Sequence, residues 1–368
     1  MALDILGEEP VSLVRAYIDN TLTVLVHELS LSPSEARPSV TLRRRTNAAA
    51  CTINPNNGAL ESAEQEESYR KYSWPGNTVA ESWKFTMVVR ILSIIDQAIR
   101  TGQLISKRSQ KVVDEILDDL AYTIGVDRAA LNVEATAKGL IVGPFRLRRD
   151  GYTVVDARLA TTETLIPRIQ NGDDIDIAGA RWVLIVEKEA AFHRLVRNSF
   201  HMTAFVGEGI LITGKGYPDI STRSLVRRVF DMTQNARYRP RFYALVDGDP
   251  DGIAIMSTYK HGSIRHMHEN ASLTIPELEW LGMRVSDAAT IPESSDSGVF
   301  LSLTARDRRK IISMLQNSPV FASGGPELEW RLELQRMLML NVKLEIEAVY
   351  EQSGGLEAWI NRKMFRQE

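Results

Sequence analysis

Three short stretches carry the residues best suited to chemistry: Glu187-Lys188-Glu189, Thr213-Gly214-Lys215-Gly216 and Asp247-Gly248-Asp249-Pro250-Asp251-Gly252, each directly after an apolar run. In open parallel sheets, ligands sit outside the carboxyl ends of the strands, so residues placed there reach a substrate. Carboxylates gathered at adjacent strand ends repel one another unless protons or a cation neutralise them, and hard oxygen donors without His or Cys suit Mg²⁺. Glu187, Asp247 and Asp249 are therefore the candidate magnesium ligands. Mg²⁺ leaves coordination positions to water and phosphate oxygens, so a phosphate-bearing substrate goes with it. Taken alone, the Asp-rich loop would be a helix-capping turn and Glu187 a loop residue; the two strand ends together carry the metal reading. Asp251 reads as the helix cap. Lys215 is a candidate phosphate contact, although its glycine-flanked turn is not a Walker loop.

The elements that must hold these ends alternate. Trp182 to Val186, Gly209 to Thr213 and Phe242 to Val246 read as strands, and Glu189 to Phe200, Ser221 to Phe230 and Gly252 to Tyr259 as helices. That order predicts an α/β fold with a parallel sheet and right-handed crossovers. Beyond Trp280 the pattern is mainly helical, and the long segment from Glu327 to Tyr350 offers Trp330, Leu334, Met337, Leu338, Leu344 and Val349 as core. Upstream, Phe85, Val88, Val89, Leu92, Ile95 and Ile99 recur at helical steps. A second helix follows, with Val112, Ile116, Leu117 and Leu120 inward and Asp114, Glu115, Asp118 and Asp119 outward. Two apolar runs, Ala130 to Val133 and Gly139 to Phe145, lead into a hairpin signal at Asp150-Gly151 flanked by Arg148 and Arg149. Helix, helix and basic-tipped hairpin make winged-helix grammar, a unit used for DNA and also for protein contacts. Before it stand a short apolar helix within the first 28 residues and a polar stretch to Ser68 that reads as disordered.

The 368 residues are 44% hydrophobic and 25% charged, enough for two cores. No apolar run approaches the eighteen residues of a membrane helix, so a soluble intracellular chain without a membrane partner is expected. The single cysteine, Cys51, excludes an internal disulfide. A net charge of −3, from 44 Lys and Arg against 47 Asp and Glu, leaves any nucleic-acid footprint to local clusters. Those clusters are Arg43 to Arg45; Arg146, Arg148 and Arg149; Arg223, Arg227 and Arg228; Arg237, Arg239 and Arg241; and Arg306, Arg308, Arg309 and Lys310. His266 and His268 have no further His or Cys at ligand spacing, and no Gly-x-Ser-x-Gly elbow or dinucleotide fingerprint appears.

Val183-Leu-Ile-Val-Glu187-Lys-Glu, Ile212-Thr-Gly-Lys-Gly-Tyr-Pro-Asp219 with Thr222-Arg223, and Leu245-Val-Asp247-Gly-Asp249-Pro-Asp-Gly252 resemble the Toprim domain of the A subunit of topoisomerase VI and of its meiotic double-strand-break relatives. Lys111-Val-Val-Asp-Glu-Ile-Leu-Asp-Asp119 and Thr136-Ala-Lys138-Gly-Leu-Ile-Val-Gly143 resemble the same family's winged-helix (CAP-like) domain; Trp280-Leu-Gly282 and Leu303-Thr-Ala-Arg-Asp307 continue the likeness. The resemblance implies a winged-helix domain followed by a Toprim Rossmann-like parallel sheet with a helical C-terminal part. On it the chain divides into an N-terminal helix and disordered tail (1–70), a winged helix (71–155), a linker (156–180), a Toprim domain with C-terminal helices (181–350) and a tail (351–368).

The resemblance further implies a Mg²⁺-dependent isomerase of the type IIB, ATP-hydrolysing topoisomerase kind, in which a tyrosine oxygen attacks a DNA phosphodiester and remains on the 5′ end. The meiotic branch would make double-strand breaks that start recombination, on chromosomes in the nucleus. Its implied partners are double-stranded DNA, a second copy of the chain, meiotic accessory proteins and a B-like subunit of topoisomerase VI. Arg108, Lys138, Arg146, Arg148, Lys215 and Arg223 are the expected DNA contacts. One departure stands out. The family places a paired-tyrosine stretch, Arg-Asp-Ile-Tyr-Tyr, where here Lys107-Arg108 runs directly into Ser109-Gln110-Lys111. The flanks match on both sides, as after a clean internal deletion, and the chain as written is expected to be inactive. Tyr122, on the apolar second helix, and Tyr152, by the hairpin turn, do not replace the missing residue. A DNA-cleaving transesterase, with this chain an incomplete or silent form, and a non-catalytic DNA-binding or dimerisation module are the two functions left open.

Overall fold

The computed structural model describes residues 5–44, 51–62, 68–107, 111–135, 137–158, 160–170, 172–177, 179–234, 239–264, 267, 270–290, 300–350 and 352–366. Two compact units result, one of Met1–Asn47 with Glu64–Thr136 and the other of Ala48–Ala63 with Ala137–Glu368. No helix among the described residues is long and apolar enough to cross a membrane.

The chain opens with α1 (Ile5–Leu29) and β1 (Ser39–Arg44), makes an excursion into the second unit through β2 (Cys51–Ile53) and β3 (Leu60–Ser62), and returns as β4 (Ser68–Ser73), α2 (Val79–Thr101), β5 (Ile105–Lys107), α3 (Lys111–Ile124) and β6 (Val133–Ala135). Helix α2 forms where apolar residues recur at three- and four-residue steps, and its Phe85, Val88, Leu92, Ile95 and Ile99 are buried. Thr78 caps it, accepting from Glu81 N–H at 3.2 Å. Gly102 ends it at a φ of 65°, in the left-handed region that glycine adopts without a steric penalty. Helix α3 adds Ile116, Leu117 and Leu120 to the same core. Its acids do not all face outward as expected: Asp114, Asp118 and Asp119 are buried. Buried Arg128 reaches Asp114 at 2.7 Å and Asp118 at 3.2 Å, supplying the charge that lets them leave water.

The second unit continues with β7 (Leu140–Val142), β8 (Arg146–Arg149), β9 (Tyr152–Asp156), β10 (Thr164–Leu165), β11 (Asp174–Asp176), β12 (Trp182–Val186), α4 (Glu189–Arg197), α5 (Phe200–Thr203), β13 (Gly209–Thr213), α6 (Ile220–Thr233), β14 (Arg241–Leu245), α7 (Pro250–Lys260), β15 (Leu278–Gly282), β16 (Phe300–Ser302), α8 (Ala305–Asn317), α9 (Leu328–Leu340), β17 (Val342–Leu344) and α10 (Gly355–Arg366). Its main sheet has the order β10-β7-β13-β12-β14-β15. β13, β12 and β14 run parallel, as the alternating pattern predicts, β15 adds a fourth parallel strand that the sequence did not show, β7 pairs antiparallel with β13, and β10 pairs antiparallel with β7. All five residues of β12 are buried, the composition of a strand covered on both faces. The chain leaves β12 for β13 on one side and reaches β14 on the other, which opens a crevice at the carboxyl end of β12.

Several expected boundaries move. The polar stretch expected to be disordered contains β1, with Val40 and Leu42 buried, which pairs with β4 just beyond it, and the β2–β3 hairpin, with Cys51 and Leu60 buried. Alternation over so few residues is a weak signal in a polar context. The run from Gly139 and the basic-tipped hairpin, expected in the winged helix, belong to the second unit, so the division falls after Thr136 and not at 155. Glycine makes the close approach possible there: a Cβ on Gly139 would lie 2.2 Å from Thr222 Oγ1, and one on Gly143 would lie 2.5 Å from the Gly209 carbonyl. Residues 156–180, expected as a linker, supply β10, which pairs with β7, and β11, which pairs with β8. The long C-terminal segment is broken at Asn341, whose φ of 55° ends α9 before β17. Residues 351–368, expected as a tail, hold α10, which buries Leu356, Trp359, Ile360 and Met364.

Candidate metal and nucleic-acid site

Because β12 and β14 are parallel neighbours, with Val186 opposite Leu245, their carboxyl ends lie side by side. That register brings Glu187 to the Asp247 loop, where Glu187 Oε2 accepts from Asp247 N–H at 3.0 Å. Asp247 is buried; its Oδ1 accepts from Ile346 N–H at 2.9 Å and its Oδ2 meets Lys188 Nζ at 3.0 Å. Asp249, not Asp251, is the cap of α7: its Oδ1 accepts from Gly252 N–H at 2.7 Å. Asp251, in the first turn, pairs with Lys310 from α8. Gly252 cannot carry a side chain, since a Cβ there would lie 2.4 Å from the Asp247 carbonyl and 3.1 Å from Glu187 Oε2.

The electrostatics are those of acids short of positive charge. Burial pushes the Glu187 carboxyl up to about 8, with the charges of Asp247 and Asp249 adding to the shift. Burial also raises Asp247 to about 6 against the pull of Lys188, and raises Asp249. Glu187 Oε1 and Asp249 Oδ2 accept no hydrogen bond among the described residues. A hard divalent cation fits this donor chemistry. Among the described residues, however, no group of three or more His, Cys, Asp or Glu is assembled closely enough to hold a metal ion as the side chains stand.

The expected DNA contacts scatter. Lys215 sits at a φ of 53° in the loop after β13, its Nζ 2.8 Å from Glu189 Oε1, and the following Gly216 N–H donates to the Glu187 carbonyl at 3.0 Å. Lys138 joins this loop, its Nζ 3.4 Å from the Lys215 carbonyl and its N–H donating to Asp219 at 2.9 Å. Arg146 pairs with Asp176 at 2.9 Å, and Arg148 is half-buried on β8. Arg223 is buried and donates to Asn270 Oδ1 at 3.4 Å, so it is a core residue and not a surface contact. Arg108 lies outside the described residues, as do the Arg108–Ser109 junction, Arg45, Arg237, His266 and His268. Other members of the basic clusters are paired: Arg149 with Asp173 at 2.8 Å, Arg227 with Asp231 at 2.9 Å and Arg239 with Glu277 at 2.8 Å. Tyr122 is half-buried under the Arg43 guanidinium at 5.0 Å, and Tyr152 is exposed.

Sequence reasoning passed over the residues that surround the acids from a distance along the chain. Lys188 contacts Glu347 Oε2 at 2.6 Å and Glu345 Oε2 at 3.5 Å, Lys310 donates to Tyr217 OH at 2.8 Å, and Lys343 meets Asp307 at 3.1 Å. The local signals were the Glu-Lys-Glu tripeptide, the basic cluster ending at Lys310 and the block ending at Asp307.

This chain, with a parallel sheet carrying acids at neighbouring strand ends after an N-terminal α/β unit, is by its family matches a Toprim protein of the type IIB topoisomerase class. Residues 182–362 match the family profile of the Toprim domain shared by Spo11 and the A-type subunit of topoisomerase 6, and residues 83–133 match "Type IIB DNA topoisomerase". The chain is 34% identical to Meiotic recombination protein SPO11 of Homo sapiens, over 72% of this chain and 67% of the relative. It is 31% identical to Meiotic recombination protein rec12 of Schizosaccharomyces pombe, over 95% of this chain and 94% of the relative. The A3 subunit of DNA topoisomerase 6 from Oryza sativa subsp. indica is 32% identical, over 76% of this chain and 63% of the relative. The chain belongs to the family of Spo11 and the topoisomerase 6 A-type subunits.

Proposed function

We propose that the protein is the DNA-cleaving subunit type of meiotic recombination, in a form that binds Mg²⁺ and DNA but lacks its nucleophile. The observation that carries the reading is the meeting of Glu187 and the Asp247–Asp249 loop at two adjacent strand ends, with carboxyls that burial and mutual repulsion hold above their ordinary values. Glu187, Asp247 and Asp249 would hold Mg²⁺, which when bound stabilises charge on a phosphodiester. Lys138, Lys215, Arg146 and Arg148 would meet DNA phosphates, and Arg108 is a further proposed DNA contact. Such contacts fix position without reading sequence. In the complete family reaction a tyrosine oxygen bonds to phosphorus, the 3′ oxygen of the neighbouring nucleotide leaves, and the protein stays on the 5′ end. The first unit would act as the winged helix that presents this tyrosine, two copies of the chain would cut the two strands, and a B-type partner, not this chain, would hydrolyse ATP. The setting would be chromosomes in the nucleus.

One observation favours a second reading, that of a non-catalytic DNA-binding or dimerisation module: no tyrosine stands between Tyr72 and Tyr122. The two readings separate in one experiment. The chain is incubated with end-labelled DNA and Mg²⁺, denatured, and examined for label on the protein, both as written and with the family's paired-tyrosine stretch inserted between Arg108 and Ser109. The transesterase reading predicts no adduct from the first and an adduct from the second. An adduct from the chain as written would show that another tyrosine serves; none from either chain, with both folded and DNA-bound, leaves the binding module.

A further inference from the structure

Four lysines stand around the three acids, and they are not equivalent. Lys215 is held by Glu189 at 2.8 Å, Lys310 by Asp251, and Lys343 by Asp307 at 3.1 Å, all acids outside the candidate metal ligands. Lys188 alone bridges the two sets. Its Nζ lies 3.0 Å from Asp247 Oδ2 and, on its other side, 2.6 Å from Glu347 Oε2 and 3.5 Å from Glu345 Oε2. Both Asp247 oxygens are engaged, Oδ1 by Ile346 N–H at 2.9 Å and Oδ2 by the Lys188 ammonium at 3.0 Å, so a cation that binds Asp247 through Oδ2 meets that ammonium. The acids on the far side are anchored independently of Lys188. The backbones of Gly248 and Leu344 exchange hydrogen bonds of 2.9 and 3.0 Å, and the Asp247–Ile346 bond continues the attachment, so residues 344–347 stay beside the site wherever the lysine points.

We propose that Lys188 is an exchangeable counter-ion of the acid site: it neutralises Asp247 when no divalent cation is present and transfers to Glu345 and Glu347 when one binds. The inference rests on the reading of Glu187, Asp247 and Asp249 as metal ligands. A lysine on a four-carbon stem makes this exchange by rotating about its own bonds, without backbone movement. A bound divalent ion is the largest local charge and repels an ammonium left on the same carboxylate. Lys188 is thus a positioning residue that sets how much cation the site requires before it loads.

The test is calorimetric titration of the whole chain with Mg²⁺ at fixed ionic strength, alongside melting temperature without metal, for the natural chain and for Lys188→Met, Lys188→Arg and Glu347→Gln. Removing the competing ammonium should tighten Mg²⁺ binding about tenfold, in line with one lost charge contact at a buried carboxylate, while lowering the melting temperature of the metal-free protein. Lys188→Arg should bind Mg²⁺ like the natural chain. Glu347→Gln, which takes away the receiving acid, should weaken Mg²⁺ binding severalfold, and this arm decides the matter if Lys188→Met does not fold. A lysine that only ties residues 344–347 to the sheet would lower the melting temperature and leave the affinity unchanged, and that result, or weaker binding by Lys188→Met, overturns the proposal. A natural chain that takes up no Mg²⁺ would instead remove the metal-site reading on which the proposal stands.

Discussion

The crevice of the second unit and the β5–α3 junction of the first differ in what each retains. At the crevice Glu187, Asp247 and Asp249 are present, the loop glycine that lets them approach is present, and Lys188 offsets part of their charge through Asp247. At the junction Lys107-Arg108 meets Ser109-Gln110 with no tyrosine, although α2 and α3 on either side form an ordered core. On the proposed reading the metal-binding and nucleophilic roles fall in different compact units, so one can be lost while the other stays intact. Asp247 is buried and Glu187 and Asp249 are half-buried; carboxylates withdrawn from water are costly to keep without a neutralising partner, which supports the proposed ion site.

The comparison breaks most decisively on the adduct test above, an all-or-none change produced in the first unit alone. The next largest effect concerns cooperativity between the units. Leu184→Ala, in the middle of fully buried β12, should cost about 2–5 kcal/mol and weaken Mg²⁺ binding, because β12 carries Glu187 at its end. Leu92→Ala, in the core of the first unit, should cost a similar amount by the same cavity mechanism while leaving Mg²⁺ affinity unchanged. Thermal melts with and without Mg²⁺ would check both; a fall in Mg²⁺ affinity with Leu92→Ala would contradict the separation.

A smaller effect lies in the pH dependence. Burial raises Glu187 from 4.5 to about 8 and Asp247 from 3.8 to about 6, so across these windows the folded protein holds protons that the unfolded chain has released. Stability then falls as pH rises wherever the folded state binds more protons. Without Mg²⁺ these acids should contribute a decline from pH 3.8 to about 8, and Mg²⁺ should flatten it by favouring the charged forms. A Glu187→Gln chain should show less of the decline; an undiminished slope would mean that the raised acid is not the source.

How much of this was legible in the sequence follows from the physics of each element. β12, β13 and β14 were readable because central parallel strands are unbroken apolar runs, and the acids were readable because they follow those runs directly. β1 and β4 were missed because each buries few side chains and depends on a partner distant in sequence. β7 was assigned to the wrong unit because a short apolar run does not reveal which sheet it joins; its packing against β13 depends on Gly139 and Gly143. Arg223 looked like a phosphate contact in its basic cluster, yet it is interior, since charge alone does not tell which face of α6 a residue occupies. Lys188 was seen only as a neighbour of Glu187, because Glu345 and Glu347 lie far along the chain.

The most direct test is calorimetric titration of the chain as written with Mg²⁺, beside Glu187→Gln and Asp247→Asn. Saturable Mg²⁺ binding that either substitution weakens at least about tenfold, a factor corresponding to 1.4 kcal/mol, is the predicted result. Equal binding by all three proteins, or none by the natural chain, would contradict the assignment of Glu187, Asp247 and Asp249 as the metal site.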